Sequence, residues 1–367
     1  MGVVETVVYQ QALPDRYRKL DEKELTKAIW EAKKRLGNSL IILGHHYQRD
    51  DVIQFADYRG DSLKLARIAA ELKQTKYIVF CGVHFMAETA DILTTPEQVV
   101  ILPDLNAGCS MADMAEVDEV EECWDMITRE FGSSIIPVTY VNSSAAIKAF
   151  VGKYGGLTMT SSNADKIFSY ALQEKERILF LPDQHLGRNT AFKLGIPLKE
   201  MTVYDPKEMS LEYPHGHGSS RIILWKGHCS VHQKFEPSHV CYMRETYPGI
   251  RVIVHPECMF ETVQLADENG STDYIIKQID NAPAGTKWAI GTEHNLVNRL
   301  AQEHPDQMIT SLNPMICPCL TMNRIDQPHL LWSLESLINH QPVNVIRVDD
   351  ETAKWAKTAV DRMLELS

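Results

Sequence analysis

Short apolar runs that end in polar clusters recur along this chain. Leu40-Ile41-Ile42-Leu43 leads into Gly44-His45-His46-Tyr47, Ile135-Ile136-Pro137-Val138 into Thr139-Tyr140-Val141-Asn142, and Val252-Ile253-Val254 into His255-Pro256-Glu257-Cys258. Continuous apolar runs of this length predict strands buried on both faces, as in parallel sheets covered by helices. After each comes a helical stretch and then a small hydroxyl-bearing group: Gly60-Asp61-Ser62, Thr160-Ser161-Ser162-Asn163, and Gly270-Ser271-Thr272. Each group is expected to open a further helix. In the first, Leu65, Ile68, Ala69 and Leu72 fall on one apolar face, with Asp61 or Ser62 as N-cap. A second strand follows in each unit (Tyr77 to Phe80, Ile178 to Leu181, Trp288 to Ile290), running into turns that hold His84, His185 and His294. Another helix, a further apolar segment and a cysteine close the unit: Cys109, Cys229 and Cys319.

From His84 to Cys109 is 25 positions, from His294 to Cys319 also 25, and from His185 to Cys229 44. The extra stretch in the middle unit, 201–218, is polar and rich in Gly, Pro and His, and is expected to be a surface loop. Strand–helix alternation of this kind predicts an α/β fold of three pseudo-threefold-related αβα lobes with short parallel sheets, the functional groups gathering at the C-terminal strand ends. The expected divisions are an N-terminal segment 1–36, lobes 37–128, 129–245 and 246–335, and a C-terminal packing segment 336–367 without chemistry.

Composition narrows the partners. The 367 residues are 44% hydrophobic and 23% charged, with a formal charge of −12. A nucleic acid or an anionic membrane surface would need clustered Lys and Arg, so neither is an expected partner. An anionic substrate stays open, because helix N-termini can hold one. No basic-then-apolar leader is visible and no apolar run approaches about 18 residues, so a cytoplasmic location is expected.

In that reducing setting the eight cysteines are expected to be buried residues, metal ligands or reactive thiols rather than disulfides. One cysteine per lobe can converge on the pseudo-threefold axis. Three soft thiolates suit an iron–sulfur cluster, zinc or copper(I). In a cubane they would leave one iron without a protein ligand, and an open corner is what Lewis-acid catalysis needs. Zinc held by three cysteines and a histidine such as His228 is the structural rival. Cys317 stands two positions from Cys319 and could replace it. Cys81, Cys123, Cys241 and Cys258 are expected to be small hydrophobic residues.

The chain resembles the quinolinate synthase A family, in its longer bacterial form, over roughly residues 20–365. The motifs that carry the resemblance are GHHYQ (44–48), GDSLKLA (60–66), FCGVHFMAETADIL (80–93), AGCSMAD (107–113), YVNSSAAIKAF (140–150), TSSNA (160–164), LPDQHLG (181–187), GHCSVH (227–232), HPEC (255–258), NGST (269–272), GTE (291–293) and CPCLTMNRI (317–325). The resemblance implies three lobes around a 4Fe–4S cluster held by Cys109, Cys229 and Cys319. It implies condensation of iminoaspartate with dihydroxyacetone phosphate to quinolinate, phosphate and two waters in NAD biosynthesis, with an L-aspartate oxidase as a possible supplier of iminoaspartate. It implies a substrate site built from His45, Ser62, Tyr140, Val141, Asn142, Ser161, His255, Pro256, Glu257 and Thr272, with Tyr47 in the active site.

Chemistry assigns roles among these. Glu257, two positions after His255 at a strand end, is the first candidate for general base. Tyr47 and Tyr140 are phenols able to donate to a developing alkoxide. Asn142 can donate and accept at once. His45 can bind phosphate or shuttle a proton. Ser62, Ser161 and Thr272 bring three helix starts and three hydroxyls toward an anion. Two other readings stay open: a different 4Fe–4S hydro-lyase, and a non-enzymatic metal-binding sensor or structural zinc protein.

Overall fold

The computed structural model describes residues 10–315 and 318–366. Three separate sheets take up the chain in order. β1 (Leu40–His45), β2 (Tyr58–Gly60), β3 (Tyr77–Cys81) and β4 (Val99–Ile101) form the first. β5 (Ile135–Tyr140), β6 (Leu157–Met159), β7 (Arg177–Leu181), β8 (Met201–Asp205), β9 (Ser210–Glu212) and β10 (Ile222–Trp225) form the second. β11 (Arg251–Val254), β12 (Glu268–Asn269), β13 (Lys287–Gly291) and β14 (Met308–Ser311) form the third, and β15 (Val345–Ile346) returns to the first. The core order is the same each time: β2-β1-β3-β4, β6-β5-β7-β10 and β12-β11-β13-β14, with all neighbours parallel. The recurring order of sequence features is therefore a recurring α/β topology. Every residue of β3 and β5 is buried, as runs covered by helices on both faces must be.

Local chemistry sets the helix starts. The Asp61 carboxylate accepts from the Lys64 amide ahead of the helix Ser62–Glu71, and the Ser271 hydroxyl accepts from the Tyr274 amide ahead of Thr272–Asp280. The middle unit differs. Its helix, Ala164–Glu174, starts three residues beyond Ser161, which stays in the preceding turn.

The stretch 201–218 is a surface loop only in its second half. Met201–Asp205 is a buried strand parallel to β10, and β9 pairs antiparallel with it. Met-Thr-Val-Tyr is good strand material, but the exposed Gly/Pro/His run after it masks the signal. The inserted residues thus widen the middle sheet.

The C-terminal residues reach two of the sheets. β15 pairs antiparallel with β4 of the first sheet, while the helix Asp350–Glu365 lies along Ala145–Lys153 of the middle unit. A Cβ on Gly152 would stand 2.0 Å from the Trp355 carbonyl oxygen, so only glycine allows this approach. No helix of the described residues is long and apolar enough to cross a membrane.

Candidate active site

The C-terminal ends of the strands from all three sheets face one cavity, which encloses about 690 Å³ of empty space counted out to its mouth. His45, Tyr47, Ser62, Tyr140, Asn142, Ser161, His255, Glu257, Thr272 and the three cysteines Cys109, Cys229 and Cys319 all line it. Val141 and Pro256 do not. Val141 is packed in the core and Pro256 presents its carbonyl to Asn189. The turn histidines His84, His185 and His294 also stand outside the cavity lining.

The first residue of each cavity turn is the end of β1 or β5, or follows β11. In the first and third units the turn is identical. The Tyr47 amide donates to Nδ1 of His45 (3.1 Å) and the Gln48 amide to the His45 carbonyl (3.0 Å). The Glu257 amide donates to Nδ1 of His255 (3.3 Å) and the Cys258 amide to the His255 carbonyl (3.0 Å). Each imidazole therefore carries its hydrogen on Nε2, and that of His255 faces Ser161 Oγ at 3.2 Å. Burial holds both rings neutral, down to about 3.

Glu257 is buried, and its carboxylate accepts from His232 Nδ1 at 2.6 Å. Burial pushes the carboxyl up, but the facing His232, together with His255 and the Tyr140 hydrogen bond, outweighs it and holds Glu257 below the ordinary carboxylate range. His232 Nε2 lies 3.2 Å from Thr292 Oγ1, and Thr292 Oγ1 lies 2.8 Å from the Tyr47 phenol, which also meets Thr272 at 3.0 Å. A hydrogen-bonded chain thus runs from Tyr47 through Thr292 and His232 to Glu257. Burial, and then the Glu257 charge, push the phenols of Tyr47 and Tyr140 well above their usual range, so both stay protonated. Asn142 Oδ1 is buried against the cavity without a hydrogen-bond partner, an acceptor that a ligand N–H or O–H could satisfy.

His232 and Glu293 line the cavity too, and Thr292 stands behind them between His232 and Tyr47. Sequence reasoning missed them as site residues. The signals were present: His232 closes GHCSVH, and Thr292-Glu293 follow the end of a strand. Glu293 is pushed up to about 7 by burial and accepts from the Cys319 amide at 3.2 Å.

The three cysteine turns are copies of one backbone. Each cysteine carbonyl accepts from the amide four residues on: Asp113 (3.1 Å), Gln233 (3.1 Å) and Asn323 (3.0 Å). A 3₁₀ turn begins three residues after each, at Ala112, His232 and Met322. In each case the amides two and three residues on point at the sulfur. Burial pushes all three thiols up, Cys109 to about 12, and Cys319 raises Cys109 further while Cys109 raises Cys229 further. Three half-buried sulfurs with amides aimed at them form a donor set suited to a soft metal centre. Cys317 lies outside the described residues. A second possible metal group is Cys229, His232 and Glu257, whose ligand atoms lie within 4.8 Å of one another.

The family described as Quinolinate synthetase A protein matches residues 27–365. A quinolinate synthase of Anoxybacillus flavithermus is 58% identical over 364 residues, covering 99% of both chains. Those of Bacillus anthracis and Bacillus cereus are 57% and 56% identical over 366 residues, covering all of both chains.

Proposed function

We propose, from the premise that this chain belongs to the quinolinate synthetase A family and is an enzyme, that it joins iminoaspartate to dihydroxyacetone phosphate, giving quinolinate, inorganic phosphate and two waters. Cys109, Cys229 and Cys319 would hold a 4Fe–4S cluster. When bound, such a cluster supplies an iron corner without a protein ligand, a Lewis acid for a hydroxyl or carbonyl oxygen. The observation that carries the reading is the set of three like-folded cysteine turns around the cavity that also holds the Glu257–His232 pair.

The chain's own groups divide the remaining work. Glu257 is charged, buried and hydrogen-bonded, fit to take the proton beside a carbonyl. The chain of hydrogen bonds through His232 and Thr292 links that carboxylate to the Tyr47 phenol, a donor for a developing alkoxide. Asn142 offers its unpartnered Oδ1 to a substrate N–H or O–H. The neutral Nε2–H groups of His45 and His255 donate to substrate oxygens. The helix starts at Ser62 and Thr272 favour phosphate and carboxylate despite the net charge of −12.

The test is an anaerobic assay with enzymatically generated iminoaspartate and dihydroxyacetone phosphate. The reconstituted protein should hold about four iron and four sulfide per chain and release quinolinate. Cys109→Ala, Cys229→Ala and Cys319→Ala should each abolish both. A fully loaded cluster with no quinolinate formed rejects the reading. A second reading, a zinc site at Cys229, His232 and Glu257, rests on their proximity. Against it, 2.6 Å between His232 and Glu257 is a hydrogen-bond distance, whereas zinc ligands about 2 Å from one ion stand farther apart. Stoichiometric zinc in place of iron would favour that reading.

A further inference from the structure

The turn after β1 and the turn after β11 are each gripped at the same two carbonyls by a side chain from a different unit. Arg299 lies on the helix His294–Glu303 of the third unit. Its Nη1 donates to the His46 carbonyl at 2.8 Å and its Nη2 to the Gln48 carbonyl at 2.5 Å, while Nε pairs with Asp50 at 2.6 Å. Asn189 lies on the helix Gln184–Lys193 of the middle unit. Its Nδ2 donates to the Pro256 carbonyl at 2.8 Å and to the Cys258 carbonyl at 2.9 Å. Counting from His45 and His255, these are the first and third following residues in both turns. The side chain between the two gripped carbonyls is Tyr47 in one case and Glu257 in the other.

The gripping helices are equivalent as well: each follows the second central strand of its unit. The helix that occupies this position in the first unit, His84–Leu93, carries Glu88, whose Oε2 accepts from the Ala145 amide at 3.0 Å, just past the turn that holds Tyr140 and Asn142. Each contact thus runs in one direction around the cavity. The first unit holds the second, the second the third, and the third the first. All three grips are buried or half-buried; losing Arg299 or Asn189 leaves carbonyls unsatisfied, and losing Glu88 leaves the Ala145 amide without its acceptor.

We propose that Asn189 and Arg299 are positioning residues, which aim Glu257 and Tyr47 across the unit boundaries through this directed ring of backbone grips. The proposal rests on the reading of the site given above for its kinetic consequence. Its structural consequence is independent of the reaction.

The experiment uses the full chain with its metal centre reconstituted, in the variants Asn189→Ala, Arg299→Ala and Arg299→Lys. Amide hydrogen exchange is read at 46–48 and at 257 and 258, Pro256 having no N–H. Asn189→Ala should speed exchange at Cys258 at least tenfold and leave Gln48 unchanged, and Arg299→Ala should do the reverse. Arg299→Lys keeps the charge and one of the bonds, so it should fall between wild type and Arg299→Ala, and it serves if Arg299→Ala does not fold. In the quinolinate assay, Asn189→Ala should lower kcat about tenfold or more with KM for both substrates within about twofold. Exchange that rises equally in both turns, or in neither, overturns the directed ring. Unchanged kcat with faster exchange at Cys258 overturns the positioning role. A wild-type protein that makes no quinolinate removes the kinetic arm alone, and the exchange arm still decides.

Discussion

The turns that carry Cys109, Cys229 and Cys319 share one backbone and one side-chain type, whereas the turns after β1, β5 and β11 share positions but only in part their side chains. At the first position the latter hold His45, Tyr140 and His255, and two residues on Tyr47, Asn142 and Glu257. All six line the cavity. A centre held on a threefold axis needs three equal donors, so the repeat serves it unchanged. The proposed reaction between two different small molecules would need a base, proton donors and an acceptor on different sides. That chemistry requires the equivalent positions to diverge. The fold supplies equivalence, and side-chain substitution at two positions per unit supplies the asymmetry.

The sharpest way to break this comparison is to ask which side of it Glu257 belongs to. In the reconstituted protein Glu257→Gln is expected to lower kcat by roughly 10²–10⁴-fold, the range for a lost general base, with iron and sulfide content equal to wild type. Loss of metal in step with activity would move Glu257 to the ligand side, together with Cys229 and His232.

Much of this was legible in the sequence because it is local. An apolar run with a polar end reports a buried strand and its cavity-facing turn, and three such ends brought His45, Tyr140 and Glu257 forward. The equal intervals from His84 to Cys109 and from His294 to Cys319 separated the three cysteines from the others. His232 was hidden because its counterparts at the same turn position, Ala112 and Met322, are apolar. Asn189 and Arg299 were hidden for a different reason. Their partners are backbone carbonyls in another unit, and a carbonyl has no residue type to read. The strand Met201–Asp205 was missed because a polar run followed it directly.

A smaller effect separates scaffold from site. The C-terminal segment joins the first and middle sheets and, among the described residues, pairs with no strand of the third. Gly152→Ala would gain about 1 kcal/mol in helix propensity, but its Cβ meets the Trp355 backbone carbonyl at 2.0 Å, and neither helix can yield without moving the other. A net loss of about 1–3 kcal/mol, typical of overpacking, is expected in urea unfolding. The kcat of the folded protein should stay at wild type. A drop in kcat without loss of stability would show that the tail reaches the site.

A pH series tests whether the first and third turns are electrostatic twins. His45 and His255 accept a backbone amide at Nδ1 and are held neutral by burial, down to about 3. In the unfolded chain each ring takes a proton near pH 6.5. Between those limits the unfolded state binds a proton that the folded state refuses, so stability falls as pH falls from about 6.5 toward 3. For one ring the loss between pH 7 and pH 5 is about 2 kcal/mol. His45→Gln removes it. The urea midpoint of the variant, whatever its value at pH 7, should gain on wild type as the pH is lowered to 5, and His255→Gln should do the same. Tyr140 occupies the matching position in the middle unit and does not titrate in this window, so Tyr140→Phe should leave the pH dependence as it is in wild type. A variant at His45 that tracks wild type from pH 7 to pH 5 would mean that its ring is protonated in the folded protein, with Nδ1 no longer accepting from the Tyr47 amide.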